Sequence, residues 1–546
     1  MQKSLAAPGA AHRPRAAPPP SAAEEAMAMI ARYRWLILLG LITAAIMEVL
    51  DTTIINVALP QMAGNLGATQ QEISWVSTGY ILSNVVVLPM TAFFTATFGR
   101  RNYLTASIAI FVAASFLCGT AHSLPTLVLW RIVQGAGGAA LLSTAQATLR
   151  QIFPREEQGM VQAIFLLGII VAPTLGPTLG GWITDNYTWN WCFFINIPIG
   201  IVSAFLVYTF LQDPKGQELR SGPVDWLGIG LLIAGVGSLQ YVLEEGNSDD
   251  WFNSALILRL TVVSVVSLIG LLWWEMSSRN EHPVINFRVL KNRQLAASIF
   301  LFVALGFGLY GGTFLFPLFT QSLLHFTPTE TGLVMLPGGL ITGATALVCG
   351  FLLNGKKPLV DARILISLGV CFFLLAMWDL GHLTTAAGEA DARLPLMVRG
   401  VALGLLFTPI NNAAYGSLKP SEAQQASGLI NLSRQLGGSF GIAILSTYLT
   451  RHVQYHRVDL LAHINPTNPA FVERLHMVTS GLLARGIPDA QATQTAMKMI
   501  EGMVMQQATM LAYNDSWMLI LLSFLFTAPA ILLLRKPDHA VAVDAH

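Results

Sequence analysis

Apolar residues run through this chain in a repeated series of long blocks, separated by short polar segments. A hydrocarbon core of roughly 30 Å needs about 20 apolar residues in a helix. On that measure the pattern predicts fourteen spans, near 34–58, 74–96, 103–121, 125–148, 159–183, 191–211, 224–243, 255–275, 295–321, 329–353, 362–381, 394–416, 425–449 and 516–534. The fold class is therefore an all-α polytopic membrane protein.

Charge in the loops orients the spans. Arg100 and Arg101, Arg150 and Arg155, Lys215 and Arg220, Arg279, Arg288, Lys291 and Arg293, Lys356, Lys357 and Arg363, Lys419, and Arg535 and Lys536 fall in alternate loops, while the intervening loops are nearly free of Lys and Arg. The positive-inside rule then places both termini in the cytoplasm. One outer loop, 450–515, is long. It carries two apolar stripes at helical spacing, Phe471, Leu475, Val478 and Leu482, then Met497, Ile500, Val504, Gln507 and Leu511. They predict a helical hairpin outside the membrane, packed on its own spans or docking a partner protein.

Composition narrows the function. With 53% hydrophobic and 11% charged residues the chain falls in the membrane class. Lys+Arg 31 against Asp+Glu 30 leaves no basic excess for nucleic acid. Cys118, Cys192, Cys349 and Cys371 lie in or at the ends of apolar stretches and read as packing residues. The Pro/Ala-rich residues 1–33 read as a disordered cytoplasmic tail without a signal-peptide pattern. No phosphate-binding loop, nucleophile elbow or metal-ligand cluster is legible, so neither an enzyme nor an ATP-driven machine is expected. No cofactor is expected, the proton gradient serving as energy source.

An internal echo suggests two halves. "VLWRIVQGAGGAALLSTA" in the fourth span is answered by "LMVRGVALGLLFTPINNA" in the twelfth, each with one arginine, Arg131 and Arg399, ahead of small residues. The echo pairs spans one to six with nine to fourteen. It gives an N-terminal six-helix bundle over 34–211, an inserted helix pair with linkers over 212–294, a C-terminal six-helix bundle over 295–535 containing the hairpin, and a short tail over 536–546.

A charged residue at the centre of a membrane helix costs about 2.5–3.5 kcal/mol, so embedded charges are functional candidates. Glu48 and Asp51 stand three residues apart on one face of the first span. Two carboxylates so close in low dielectric cannot both ionise cheaply, which suits one of them to carry a proton. Alternatively Asp51 is a structural acid and Glu48 recognises a cationic substrate. Arg131, with Gln134 and Gly138 on its face, is their natural counter-charge. Trp75, Tyr80, Asn84, Phe93, Tyr310, Phe314, Gln321, Asn411, Asn431 and Arg434 are candidates for the wall of a substrate cavity. In the fifth span, Gly168, Pro173, Gly176, Pro177, Gly180 and Gly181 predict a tight, bent helix contact, with the glycine-bearing thirteenth span as mate.

"LDTTIINVALP" (50–60), "WRIVQGAGGA" (130–139) and "GPTLGGW" (176–182) together resemble the signature motifs of the fourteen-span drug:proton antiporter family of the major facilitator superfamily. The long outer loop before the last span is most similar to the EmrB branch of that family, bacterial inner-membrane pumps. The resemblance implies a major facilitator fold and a drug pocket between the halves. It implies that Asp51 and Arg131 belong to the proton-coupling machinery, with a periplasmic adaptor and an outer-membrane channel as partners. It also marks Gly99, Arg100 and Arg101 as a cytoplasmic gate, where Ala96 stands in place of the family's acid. The leading reading is a proton-coupled exporter of hydrophobic compounds working by alternating access. A proton-coupled importer of a small solute and a non-transporting membrane scaffold are the alternatives.

Overall fold

The structure, a computed structural model, describes residues 22–534 apart from 155–156, 214–223, 278, 281–282, 354–358, 417 and 419–421. Several predicted loop cations, namely Arg155, Lys215, Arg220, Lys356, Lys357, Lys419, Arg535 and Lys536, lie outside the described residues, as do most of the N-terminal tail and the C-terminal tail.

In chain order the helices are α1 (Ala22–Leu66), α2 (Gln70–Ile73), α3 (Trp75–Val87), α4 (Thr91–Phe98), α5 (Arg100–Gly119), α6 (Leu124–Ile152), α7 (Gln158–Asn186), α8 (Trp191–Phe194) and α9 (Asn196–Phe210). Then come α10 (Trp226–Glu245), α11 (Ala255–Met276), α12 (Arg293–Ser322), α13 (Pro328–Leu353), α14 (Ala362–Leu380), α15 (Glu389–Gly416), α16 (Ala423–Ala462), α17 (Pro469–Leu483) and α18 (Asp489–Thr527). Among the described residues, 12 helical segments are long and apolar enough to cross a membrane. The predicted fifth and thirteenth spans are helical too, as α7 and α16. The chain enters its first helix at Ala22, inside the segment predicted to be a tail.

α1, α3, α5, α6, α7 and α9 pack on one another, and α12 to α16 and α18 form a second set. α10 and α11 pair with each other, and α10 also lies along both α3 and α16. The base of that pair is pinned by Asp225, which caps α10 by accepting from the Gly228 amide at 2.8 Å and also accepts from the Trp274 indole at 2.8 Å and Asn280 at 2.6 Å.

Two expectations are corrected. The glycines of α7 do face a close neighbour, but it is α1. A Cβ at Gly180 would stand 2.7 Å from the Ile54 carbonyl oxygen, one at Gly176 would collide with Thr53, and one at Gly168 would press on Ile46 at 3.0 Å. Across the halves α7 meets α13, where Gly343 admits Leu167 and Gly332 admits Thr178. The thirteenth span, α16, spends its glycines on α12 instead: Gly437 lies on the Val303 backbone and Gly441 on Phe307.

The second correction concerns the hairpin. α17 matches the first predicted stripe, its Leu475, Val478 and Leu482 packing with Ala492 and Ala496 of α18. The second stripe is no separate helix, because α18 runs unbroken from Asp489 into the last span. α16 likewise continues past its predicted end to Ala462, and Arg457 on it pairs with Glu501 of α18 at 2.9 Å.

Candidate functional site

α6 presents Arg131, Gln134, Gly138 and Leu142 along one face, the periodicity of a helix stripe. Glycine lets α3 reach that face, since a Cβ at Gly135 would collide with the Tyr80 carbonyl and one at Gly138 would come 2.7 Å from the Tyr80 hydroxyl. The close approach brings the Val76 carbonyl to 2.9 Å from the Arg131 Nε, which donates to it.

Arg131 is thereby clamped. Its Nη1 donates to Asp51 Oδ2 at 2.6 Å and to Gln134 Oε1 at 2.8 Å, and its guanidinium lies over the Tyr80 ring at 4.3 Å. Asp51 is equally committed, its Oδ1 accepting from Gln134 Nε2 at 3.0 Å and Asn196 Nδ2 at 2.8 Å. Asn196 also donates to Ser115 Oγ at 3.1 Å, tying α9 and α5 into the same network. Both ions of the pair are essentially inaccessible, at 0% and 1% exposure. The mutual attraction of the pair and its hydrogen bonds offset the desolvation penalty that would make either ion alone untenable.

Glu48, one helical turn away, has a different environment. Its Oε1 accepts from Asn84 Nδ2 at 3.3 Å and its Oε2 from the Leu142 amide at 3.0 Å, with no cation in contact among the described residues. The positive charge of Arg434 on α16, in the other half, acts on it electrostatically. Arg434 Nη2 donates to Asn431 Oδ1 at 3.0 Å, and Asn431 Nδ2 donates to Gln146 Oε1 of α6 at 3.0 Å. Beside them the Ser427 hydroxyl donates to the Ser143 carbonyl at 2.7 Å. One carboxylate thus sits where the halves touch, and the other is locked inside one half.

The internal echo is realised asymmetrically. Arg399, the twelfth-span arginine of that echo, lies against Gly312 and, among the described residues, donates to the Leu309 carbonyl at 3.2 Å.

Of the predicted wall residues, Tyr80 and Asn84 belong to the acid–arginine cluster, and Asn431 and Arg434 to the seam beside it. Trp75 lines an apolar groove with Leu124, Val128 and Ile132, on the flank of one half. Phe93 is buried against Phe94 at 5.5 Å. Tyr310 rests on Gly438, Phe314 and Gln321 lie half-buried farther along α12, and Asn411 donates to the Phe407 carbonyl within α15 at 3.2 Å. The structure does not gather these last residues at one site. Gly168, Gly176, Gly180 and Gly181 lie on α7 within the described residues, whereas the side chains of Pro173 and Pro177 lie outside them.

At the start of α5, Gly99 takes φ +80°, a conformation glycine adopts freely. The Arg100 and Arg101 amides both donate to the Asp213 carboxylate, at 3.2 and 3.1 Å. Arg101 Nε donates to the Tyr208 carbonyl at 2.8 Å. An acid therefore does stand at this turn, supplied by the chain just after α9 instead of position 96. Asp213 and Asn196 were not singled out from the sequence; Asn196 is a single polar residue inside an apolar run, and Asp213 is one of several polar residues that follow α9.

The chain has relatives among known proteins. A family described as the Major Facilitator Superfamily matches residues 41–442. The multidrug export protein EmrB of Haemophilus influenzae is 35% identical over 460 residues, 84% of this chain and 88% of that protein. The fatty acid resistance protein FarB of Neisseria gonorrhoeae is 32% identical over 512 residues, 93% of this chain and 97% of that one. The crystal structure of the human organic anion transporter MFSD10 (TETRAN) shares the fold, with a TM-score of 0.53 at 12% identity, covering 91% of this chain and 99% of that one. The chain belongs to the Major Facilitator Superfamily, among the relatives of the EmrB multidrug export proteins, and is a multi-pass membrane transporter and not an enzyme.

Proposed function

We propose that this transporter exports hydrophobic or amphipathic compounds in exchange for protons, by alternating access between bundles 34–211 and 295–535. The observation that carries the reading is the position of Glu48, buried near the seam of the halves with only neutral donors in contact among the described residues and Arg434 of the opposite half within electrostatic reach. Separation of the halves would withdraw Arg434 and change the field on Glu48, so proton occupancy and conformation are linked. Glu48 is the proton carrier in this scheme. Asp51 and Arg131 hold the bundle in register around it.

A proton crossing the membrane potential releases about 2.3 kcal/mol per 100 mV, enough for roughly a fifty-fold solute gradient. The relatives' names, multidrug export and fatty acid resistance, support compounds of this kind as cargo. In the same proposal the protein sits in a bacterial inner membrane with both termini cytoplasmic. The α16–α18 extension projects into the periplasm and docks an adaptor leading to an outer-membrane channel.

The test is proton flux in vesicles holding a pH gradient. Candidate compounds should collapse the gradient in the wild type and fail to do so in Glu48→Gln. Equal collapse in both would remove Glu48 from coupling; no collapse in the wild type with any compound would sink the exchange reading.

A further inference from the structure

The inserted helix α10 ends in two adjacent acids, Glu244 and Glu245, where it is wedged between α3 and α16. Neither forms an ion pair among the described residues. Glu245 is 7% exposed and accepts from the Thr78 hydroxyl of α3 at 3.3 Å. Glu244 Oε1 accepts from Gln240 Nε2 at 3.0 Å, and the same Nε2 donates to Ser439 Oγ of α16 at 2.9 Å. Residues 35–99, 226–258 and 435–450 contain no Lys or Arg, with Arg434 and Arg451 of α16 standing just outside the last stretch.

A second observation points to a ligand. Gln240 is fully buried, and its Oε1 has no hydrogen-bond partner among the described residues although its amide head is fixed at the Glu244 carboxylate. A buried acceptor without a donor is costly, and native structures leave few of them. What is missing beside it is a hydrogen-bond donor, and the two neighbouring carboxylates favour one that carries positive charge. An aromatic surface adjoins: the Trp75 and Tyr241 rings lie 5.6 Å apart, and Trp75 also forms a wall of the apolar groove with Val128 and Ile132.

We propose that Glu244, Glu245 and Gln240, with Thr78 and Trp75 of α3, form a binding site for an organic monocation with an apolar body, at the seam between the halves. The cationic nitrogen sits at the two carboxylates, a ring face of Trp75 adds cation–π attraction, and the apolar body lies along Trp75 into the groove. This rests on the export reading and names a cargo class for it. The site stands apart from Glu48, at the α10 end where Trp251 donates to Thr447 of α16 at 2.9 Å. A proton alone would neutralise an acid but leave the paired rings and the groove without a function.

The experiment is an equilibrium titration of purified full-length protein in detergent with ethidium, read by its fluorescence and without any gradient. The wild type should bind saturably. Glu244→Gln and Glu245→Gln should each weaken binding by about tenfold or more, the scale of a lost charge-assisted contact, at unchanged unfolding temperature. Gln240→Leu, which removes the unpartnered acceptor, should weaken it as well. Absence of saturable binding to the wild type, or wild-type affinity in both Glu→Gln variants, overturns the proposal. Proton-coupled movement of a pyrene-labelled fatty acid, measured separately in vesicles, reports on the export reading itself. If that movement persists while ethidium binding is absent, the seam site fails and the exporter stands.

Discussion

Asp51 and Arg131 meet at 2.6 Å inside the N-terminal half, each sealed from solvent. Because Arg131 also donates to the Val76 carbonyl and Gln134, the pair closes a ring through α1, α3 and α6, and Asn196 extends it to α9. Asp51→Asn keeps the shape and removes the charge, leaving Arg131 buried and uncompensated. Loss of one partner of such a pair costs roughly 3–5 kcal/mol. The purified variant should unfold at a clearly lower temperature than wild type, whereas Glu48→Gln, which breaks no contact ion pair, should not. Equal unfolding temperatures for all three proteins would show that the pair does not brace the bundle.

Gly180 lies where α7 touches the Ile54 carbonyl of α1, with space for hydrogen and nothing more. Gly180→Leu should push the two helices apart, costing at least about 1–3 kcal/mol as overpacking does, and should abolish transport. A Cβ at Gly64, on α1 itself, meets nothing within 4 Å, so Gly64→Ala should be neutral or gain up to about 1 kcal/mol. Thermal unfolding of the two variants checks both directions at once.

Asp213 accepts from the first two amides of α5 and lies within electrostatic range of Arg100. Asp213→Ala removes both roles and should cost about 0.5–2 kcal/mol, the worth of a helix cap. Asp213→Asn keeps an acceptor but not the charge, so its loss should be smaller. If Asn is as damaging as Ala, the charge beside Arg100 matters more than the cap.

Leu482 is buried where α17 folds onto Ala492 and Ala496 of α18. Leu482→Asp should detach α17 without disturbing the spans. Limited proteolysis would then cut between Ala462 and Asp489 far faster than in wild type, while gradient-driven transport in vesicles continues. Loss of that transport would mean that α17 is required by the membrane-embedded part.

The spans were legible because lipid demands long apolar runs. The site's charges were legible because Glu48, Asp51 and Arg131 stand out in them. Contacts between spans were not. The glycines of α7 announce that some backbone comes close, but nothing in "GPTLGGW" says that it is α1. Asn196 is a single amide in the apolar run "CFFINIPIG", with nothing in its neighbours to point to Asp51, and Ala96 in place of an acid gives no sign that Asp213 arrives from a distant turn. The second outer stripe was read correctly as helix and wrongly as separate, since a polar stretch running into an apolar one carries no mark at the junction when no Gly or Pro intervenes between Gly502 and Ala528.

The unbroken passage of α16 has a mechanical consequence. At about 1.5 Å per residue its 40 residues make a rod roughly 60 Å long, rooted by Ser427 and Asn431 at the seam and tipped by Ala462. A rod pivoting near its root magnifies small rotations: a tilt of roughly 10° would sweep its far end through about 10 Å. With α18 strapped alongside through Arg457 and Glu501, the pair acts as a pointer whose stroke reports, outside the bilayer, what the two halves are doing within it.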